Sequence, residues 1–169
     1  MNVEHEALVG RIRSSAAAVA DAVRAVPPGT ALDEPLAGEW SVQEALVHTR
    51  NVVVLVLGLR IRRLLYERDP LFADYDDGPV RRHDLRDPEP LDQVLEMILA
   101  EHAQIAALLS RLPDADWQRS GRHLERGPMS IELLARWAAD HAEDHAGQIA
   151  RTVAAMPARR GAPPANHRA

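Results

Sequence analysis

Apolar residues recur at helical spacing in four long segments, and strong helix breakers separate them. The first segment covers about 3–26 and places Leu8, Ile12, Ala16, Val19 and Val23 on one face before Pro27, Pro28 and Gly29 end it. The second starts at Ser41, which spells a capping box with Glu44 three residues on, and runs to about 68. The third covers about 90–112, with a stripe of Leu91, Leu95, Ile98, His102, Ile105, Leu109 and Leu112, and Pro113 stops it. The fourth follows Ser130, a good N-cap, and extends to about 156. Four amphipathic helices hide their apolar faces most simply against one another. The expected fold is therefore all-α, a single antiparallel four-helix bundle over residues 1–156. Residues 157–169 are rich in Ala, Pro and Arg and read as a disordered tail.

One stretch is ambiguous. Val52 to Leu57 has strand composition, but no breaker parts it from the capped segment before it, so helix is expected. Being apolar on all sides, it should be buried all round, in the bundle centre or at a subunit interface. Two connections, 69–89 and 114–129, are long for a compact domain and either serve function or hide a short element.

Composition narrows the chemistry. There is no cysteine, so thiolate ligands and a protein thiol nucleophile are excluded, and a metal would have to sit on nitrogen and oxygen. The net charge of −5 argues against a nucleic-acid partner. The N-terminal residues lack the apolar core of a signal peptide, and the longest apolar run, 52–59, is too short to span a bilayer. A cytoplasmic protein with no membrane partner is expected.

The histidines carry the functional signal. His141 and His145 stand one turn apart on the fourth helix, on a stripe with Leu134, Ala138, Ile149 and Thr152 that faces the core. His48, on the second helix, lies between Ala45 and Val52. Three imidazoles directed into one interior need partners, and a shared cation would satisfy all three lone pairs and leave one position open. The competing reading is three separate core histidines bonded to backbone or acids. Glu44 is explained by the capping box; its functional reading is an acid one turn before His48, orienting that ring or accepting a proton. Asp140 and Asp144 point elsewhere and should be solvated or paired with Arg, and Trp40 and Trp137 should pack near the site entrance. His102 reads as a satisfied core histidine, with fourth ligand or proton shuttle as alternatives. His123 reads as site mouth or plain surface, and His5, His83 and His167 as exposed. Neither the Glu-x-x-His pairs of di-iron bundles nor the H-E-x-x-H pattern of metalloproteases occurs.

Ordered pieces along most of the chain resemble one family. W-S-x-x-E-x-x-x-H (Trp40 to His48) after Gly38-Glu39, then Gly121 to His123, Gly127 to Ser130, and W-x-x-x-H-x-x-x-H-x-x-Q-I (Trp137 to Ile149) resemble the DinB/YfiT-like superfamily of metal-binding four-helix bundles. The resemblance implies that His48, His141 and His145 form a metal triad and that two copies pair as a homodimer. The family includes metal-dependent hydrolases and enzymes that use a small thiol, such as mycothiol-dependent maleylpyruvate isomerase and bacillithiol S-transferases. The triad itself does not choose the reaction. A divalent ion (Zn, Ni or Fe) would serve hydrolysis by activating water, or S-transfer and isomerisation by activating mycothiol or a similar thiol. A small-molecule substrate is expected in either case. The alternative is a non-catalytic bundle, stabilised by its metal and acting through protein partners.

Overall fold

In the computed structural model, residues 1–35 and 38–156 are described; the expected tail 157–169, with His167, lies outside the described residues. Helix α1 is Val3–Arg24, capped by Asn2, whose side chain accepts from the His5 N–H. Helix α2 is Val42–Tyr66, unbroken but changed in pitch: α-helical over Val42–Asn51, π-helical over Val52–Gly58, α-helical again over Leu59–Tyr66. The capping box at its start is formed in both directions between Ser41 and Glu44. Helix α3, Asp77–Asp84, is short; α4 is Leu91–Leu109; α5 is Ile131–Ala155, with Ser130 accepting from the Leu133 N–H.

Helices α1, α2, α4 and α5 make the bundle. Both α1 and α2 pack on α4 and α5 and scarcely on each other, so consecutive helices face across the diagonal. Long connections permit this, since a short loop would force α1 and α2 to be neighbours. The stripes meet in one core that includes Ile12, Leu46, Ile61, Ile98, Ile105, Leu109 and Leu134, none more than 1% exposed. Full burial of each such side chain contributes about 1.5–3 kcal/mol.

Val53, Val56 and Leu57 are buried, but Val52 and Val54 are half-buried and Leu55 is exposed, so the 52–57 stretch does not lie in the bundle centre, and burial all round would need a second subunit over Leu55. It runs along the rim of the bundle, with one face inward and another turned to solvent. Taken whole, Val42–Tyr66 is also long and apolar enough to cross a membrane, although its longest apolar run is not; 67% of its most apolar window is buried inside the protein, the pattern of a core helix. Gly58 faces Glu101 of α4, and a Cβ there would fall on Glu101 Oε1, within the part-buried Arg62–Glu101 ion pair.

Each long connection hides short elements. Leu71–Phe72 (β1), Ser120–His123 (β2) and Gly127–Ser130 (β3) form a sheet of order β1-β2-β3, parallel then antiparallel, and a 3-10 turn covers Asp114–Gln118. Gly121 lets β1 approach, because a Cβ there would meet the Pro70 carbonyl at 2.4 Å. The sheet fastens the 69–89 connection to the 114–129 connection. Asp74 and Tyr75 are thereby held beside His123 and Arg126 at one end of α2 and α5.

Candidate metal centre

The N-terminal half of α2 presents His48, and the middle of α5 presents His141 and His145. Their ring centroids are 5.1 Å (48–141), 4.9 Å (48–145) and 4.4 Å (141–145) apart. One nitrogen from each ring lies within 4.8 Å of the others. Three nitrogens bound tetrahedrally at about 2.0–2.1 Å from one ion would stand about 3.4 Å apart, so small side-chain shifts would bring these onto a metal. The geometry thus brings together the three residues singled out in the sequence.

In two of the three rings the outer nitrogen is already engaged. His48 Nδ1 is 2.7 Å from Asp77 Oδ2, and His145 Nδ1 is 2.7 Å from Gln148 Oε1. Carboxylate and amide oxygens accept, so each Nδ1 carries a proton, and Nε2 is the nitrogen that a neutral ring would offer to a metal. His141 Nε2 is buried with no hydrogen-bond partner among the described residues. A buried polar atom left alone is costly, and a cation is a partner that fits it. Burial, followed by the neighbouring His145 and His48, pushes the His141 pKa down to about 3. Burial also lowers His145, against the Gln148 bond. Both rings are neutral at pH 7, the form that ligates.

Asp77 is the residue that sequence reasoning missed. It lies within the long 69–89 connection, among many other charges. A signal was present: Asp76 caps a short helix, accepting from the Gly78 N–H at 3.0 Å, and Pro79 sits in its first turn. That helix, α3, places Asp77 on His48 and Arg81 beside it. Arg81 lies 3.4 Å from both Asp77 and Glu44, and its guanidinium stacks 4.0 Å above the Trp40 ring. Glu44 Oε2 accepts from the Ser41 N–H and hydroxyl at 2.9 and 3.1 Å. Its carboxylate is held by the cap and Arg81, and the acid that orients His48 is Asp77. Trp40 packs against His48 and His145, with centroids 5.1 and 6.3 Å away.

The remaining histidines lie outside the cluster of three nitrogens, although His102 is near enough to act on His141. His102 is 1% exposed, with Nδ1 2.8 Å from the Ile98 carbonyl and the Ala138 backbone also acting on the ring, and burial lowers its pKa; it is a core histidine. His123 is not surface: it is buried, its Nδ1 accepts from the Glu125 and Arg126 N–H groups at 3.2 and 3.3 Å, and it closes the hairpin turn. His5 is buried too, contrary to expectation, stacked on Trp117 at 4.0 Å with Nδ1 2.7 Å from Asp114. Among the described residues, His83 is exposed as expected. Asp140 pairs with Arg11 at 2.7 Å.

An open cleft adjoins the triad. One lobe, of about 270 Å³, runs from His48 and His141 past Val56 to Arg60, Tyr75 and Arg126. A second, of about 240 Å³, is bordered by Asp140 and Asp144; Val52, Leu57, Trp137 and His141 line both. The site therefore has an apolar middle and charged ends, open on one side.

Comparison with known proteins places the chain. The model of the DinB superfamily matches residues 11–149. Among solved structures, the chain is similar to YfiT from Bacillus subtilis, described as a probable metal-dependent hydrolase with an unusual four-helix bundle topology. The TM-score is 0.75 at 19% identity, covering 91% of this chain and 90% of that one, which shows the fold. No curated protein matches.

Proposed function

The chain belongs to the DinB superfamily, and on that footing we propose that it is a metal-dependent hydrolase holding a divalent ion on His48, His141 and His145. The observation that carries the reading is the convergence of three imidazoles, two of them lining an open cleft and one with its buried Nε2 unpartnered among the described residues. A divalent ion bound there would supply Lewis acidity toward a substrate oxygen and toward water. Asp77 fixes the His48 ring and holds its Nδ1 proton, and Gln148 does the same for His145. Trp40 covers one side of the rings and limits solvent there. Val52, Leu57 and Trp137 offer apolar surface to the body of a small substrate. Glu44 acts through Arg81 on Asp77 and is a positioning residue in this reading.

The absence of cysteine keeps a second reading in play: a thiol such as mycothiol, brought by a co-substrate, would meet no competing protein thiol, giving S-transfer or isomerisation. The experiment that tests the proposal is a screen of Zn-, Ni- and Fe-loaded protein against esters, amides and electrophiles, with and without low-molecular-weight thiols. Thiol-independent, metal-dependent turnover supports hydrolysis. Turnover only with added thiol would move the chain to the second reading, and silence with metal firmly bound would favour a metal-stabilised partner-binding bundle. The cytoplasmic setting and the homodimer belong to the same reading. The exposed Leu55 and Leu59 are the apolar surface that pairing would cover.

A further inference from the structure

Arg60 stands at the far end of the 270 Å³ lobe from His48 and His141. It is half-buried, and a guanidinium withdrawn from water normally has a carboxylate beside it. Its neighbours on α2 obey that rule: Arg62 is paired with Glu101, and Arg63 with Glu67 at 2.8 Å. Arg60 has no carboxylate within salt-bridge distance among the described residues. Its bonds are to the Ala73 carbonyl at 2.6 Å and weakly to Met129 sulfur at 4.0 Å, with the Phe72 ring 5.5 Å away. Arg126 and Asp74, 3.6 Å apart, border the same lobe as a pair, which leaves Arg60 as the guanidinium without a carboxylate at that end.

The nearby acid is committed elsewhere. Asp74 Oδ1 lies 3.2 Å from His123 Nε2 and 3.6 Å from Arg126, and it shares a hydrogen bond with Glu125, whose pKa that contact raises. The charge balance at Arg60 agrees: burial lowers its pKa first, and the like charge of Arg126 acts more strongly on it than Asp74 does.

We infer that the Arg60 end of the cleft binds an oxyanion on the substrate, a carboxylate in the first instance, while the reacting group lies at the three histidines. The planar fork of arginine suits a carboxylate or a phosphate, and the apolar wall of Val52, Val56 and Leu57 suits a short hydrocarbon body between the two ends. This rests on the reading of the cleft as the reaction site and names the class of molecule it takes: a small acid with an apolar spacer.

The test uses the full chain as purified, with 3-phenylpropionate, its primary amide and phenyl phosphate as probes. Binding is followed by NMR of the tryptophan indole and arginine side-chain N–H groups. The acid is expected to bind about tenfold or more tighter than the amide, and Arg60→Gln to bring the two within about twofold. Arg60→Met, which keeps the apolar stem against Phe72, replaces it if Arg60→Gln fails to fold by circular dichroism. A phosphate that outranks the carboxylate would retain the oxyanion site and assign it to phosphate esters. Equal affinity of acid and amide in the unaltered protein, or a preference that survives at Arg60→Gln, overturns the inference. Metal content is measured alongside. Arg60 makes no hydrogen bond to the triad, so it should not change. Loss of the metal reading through the histidine variants would leave the acid-against-amide comparison standing on its own.

Discussion

Acidifying the metal-free protein should destabilise it well before its carboxylates titrate. The perturbation is a change from pH 7 to about pH 4.5 in the presence of a chelator. His141 has its pKa lowered from 6.5 to about 3 by burial and by the two rings facing it. A depressed histidine pKa means that the unfolded chain takes up a proton that the folded one refuses. The stability is whole above pH 6.5 and drains as pH falls toward the folded value. Each pH unit inside that window costs up to about 1.4 kcal/mol per such group, so the two units to about pH 4.5 remove about 2–3 kcal/mol through His141 alone. His145 and His102, both lowered by burial, act in the same direction. The assay is urea unfolding followed by circular dichroism at each pH, for the unaltered chain and for His141→Leu. The variant should lose about 2–3 kcal/mol less over the same interval. Parallel pH profiles for the two proteins would refute the reasoning, because His141 would then titrate alike folded and unfolded.

Three further outcomes are expected. Asp77→Asn should weaken divalent-metal affinity about 10- to 100-fold in a competition titration with the fold intact, since it disturbs the His48 tautomer and not the ligands themselves. Gly58→Ala should lower unfolding free energy by about 1–3 kcal/mol, because its Cβ must displace the Glu101 carboxylate from Arg62; an unchanged urea midpoint would mean the ion pair moves freely. His5→Ala should cost about 1–2 kcal/mol by thermal melt, from loss of the Trp117 stack and the Asp114 bond; a melt within a degree of the unaltered chain would show the contact to be idle.

The bundle was legible because its signals are local. Proline after α1 and α4, Ser41 with Glu44, and Ser130 all act within a turn of the helix they bound, and each works in the structure as its residue type implies. The triad was legible for a related reason: His141 and His145 share a face by spacing alone, and His48 follows a capped start that fixes its phase. What stayed hidden depends on distant parts of the chain meeting. His5 sits in a first turn that looks like surface until Trp117 arrives to cover it. The sheet strands are two to four residues long, too short for alternation to show, and β1 finds β2 only in three dimensions. Asp77 looked like one more charge in a charged loop; its orientation toward His48 comes from the small helix that Asp76 starts. The π-helical turn over Val52–Gly58 leaves no mark in composition, and within it Leu55 is exposed, away from the bundle centre.

The central claim is that three imidazoles hold one cation, and equilibrium metal titration tests it most directly. The chain should take up one divalent ion per molecule with release of few protons from His141 and His145 near pH 7, because burial already holds those two rings neutral. His48→Ala, His141→Ala and His145→Ala should each abolish that uptake, while His102→Ala should keep it. Full metal stoichiometry and affinity in any two of the triad variants would contradict the account.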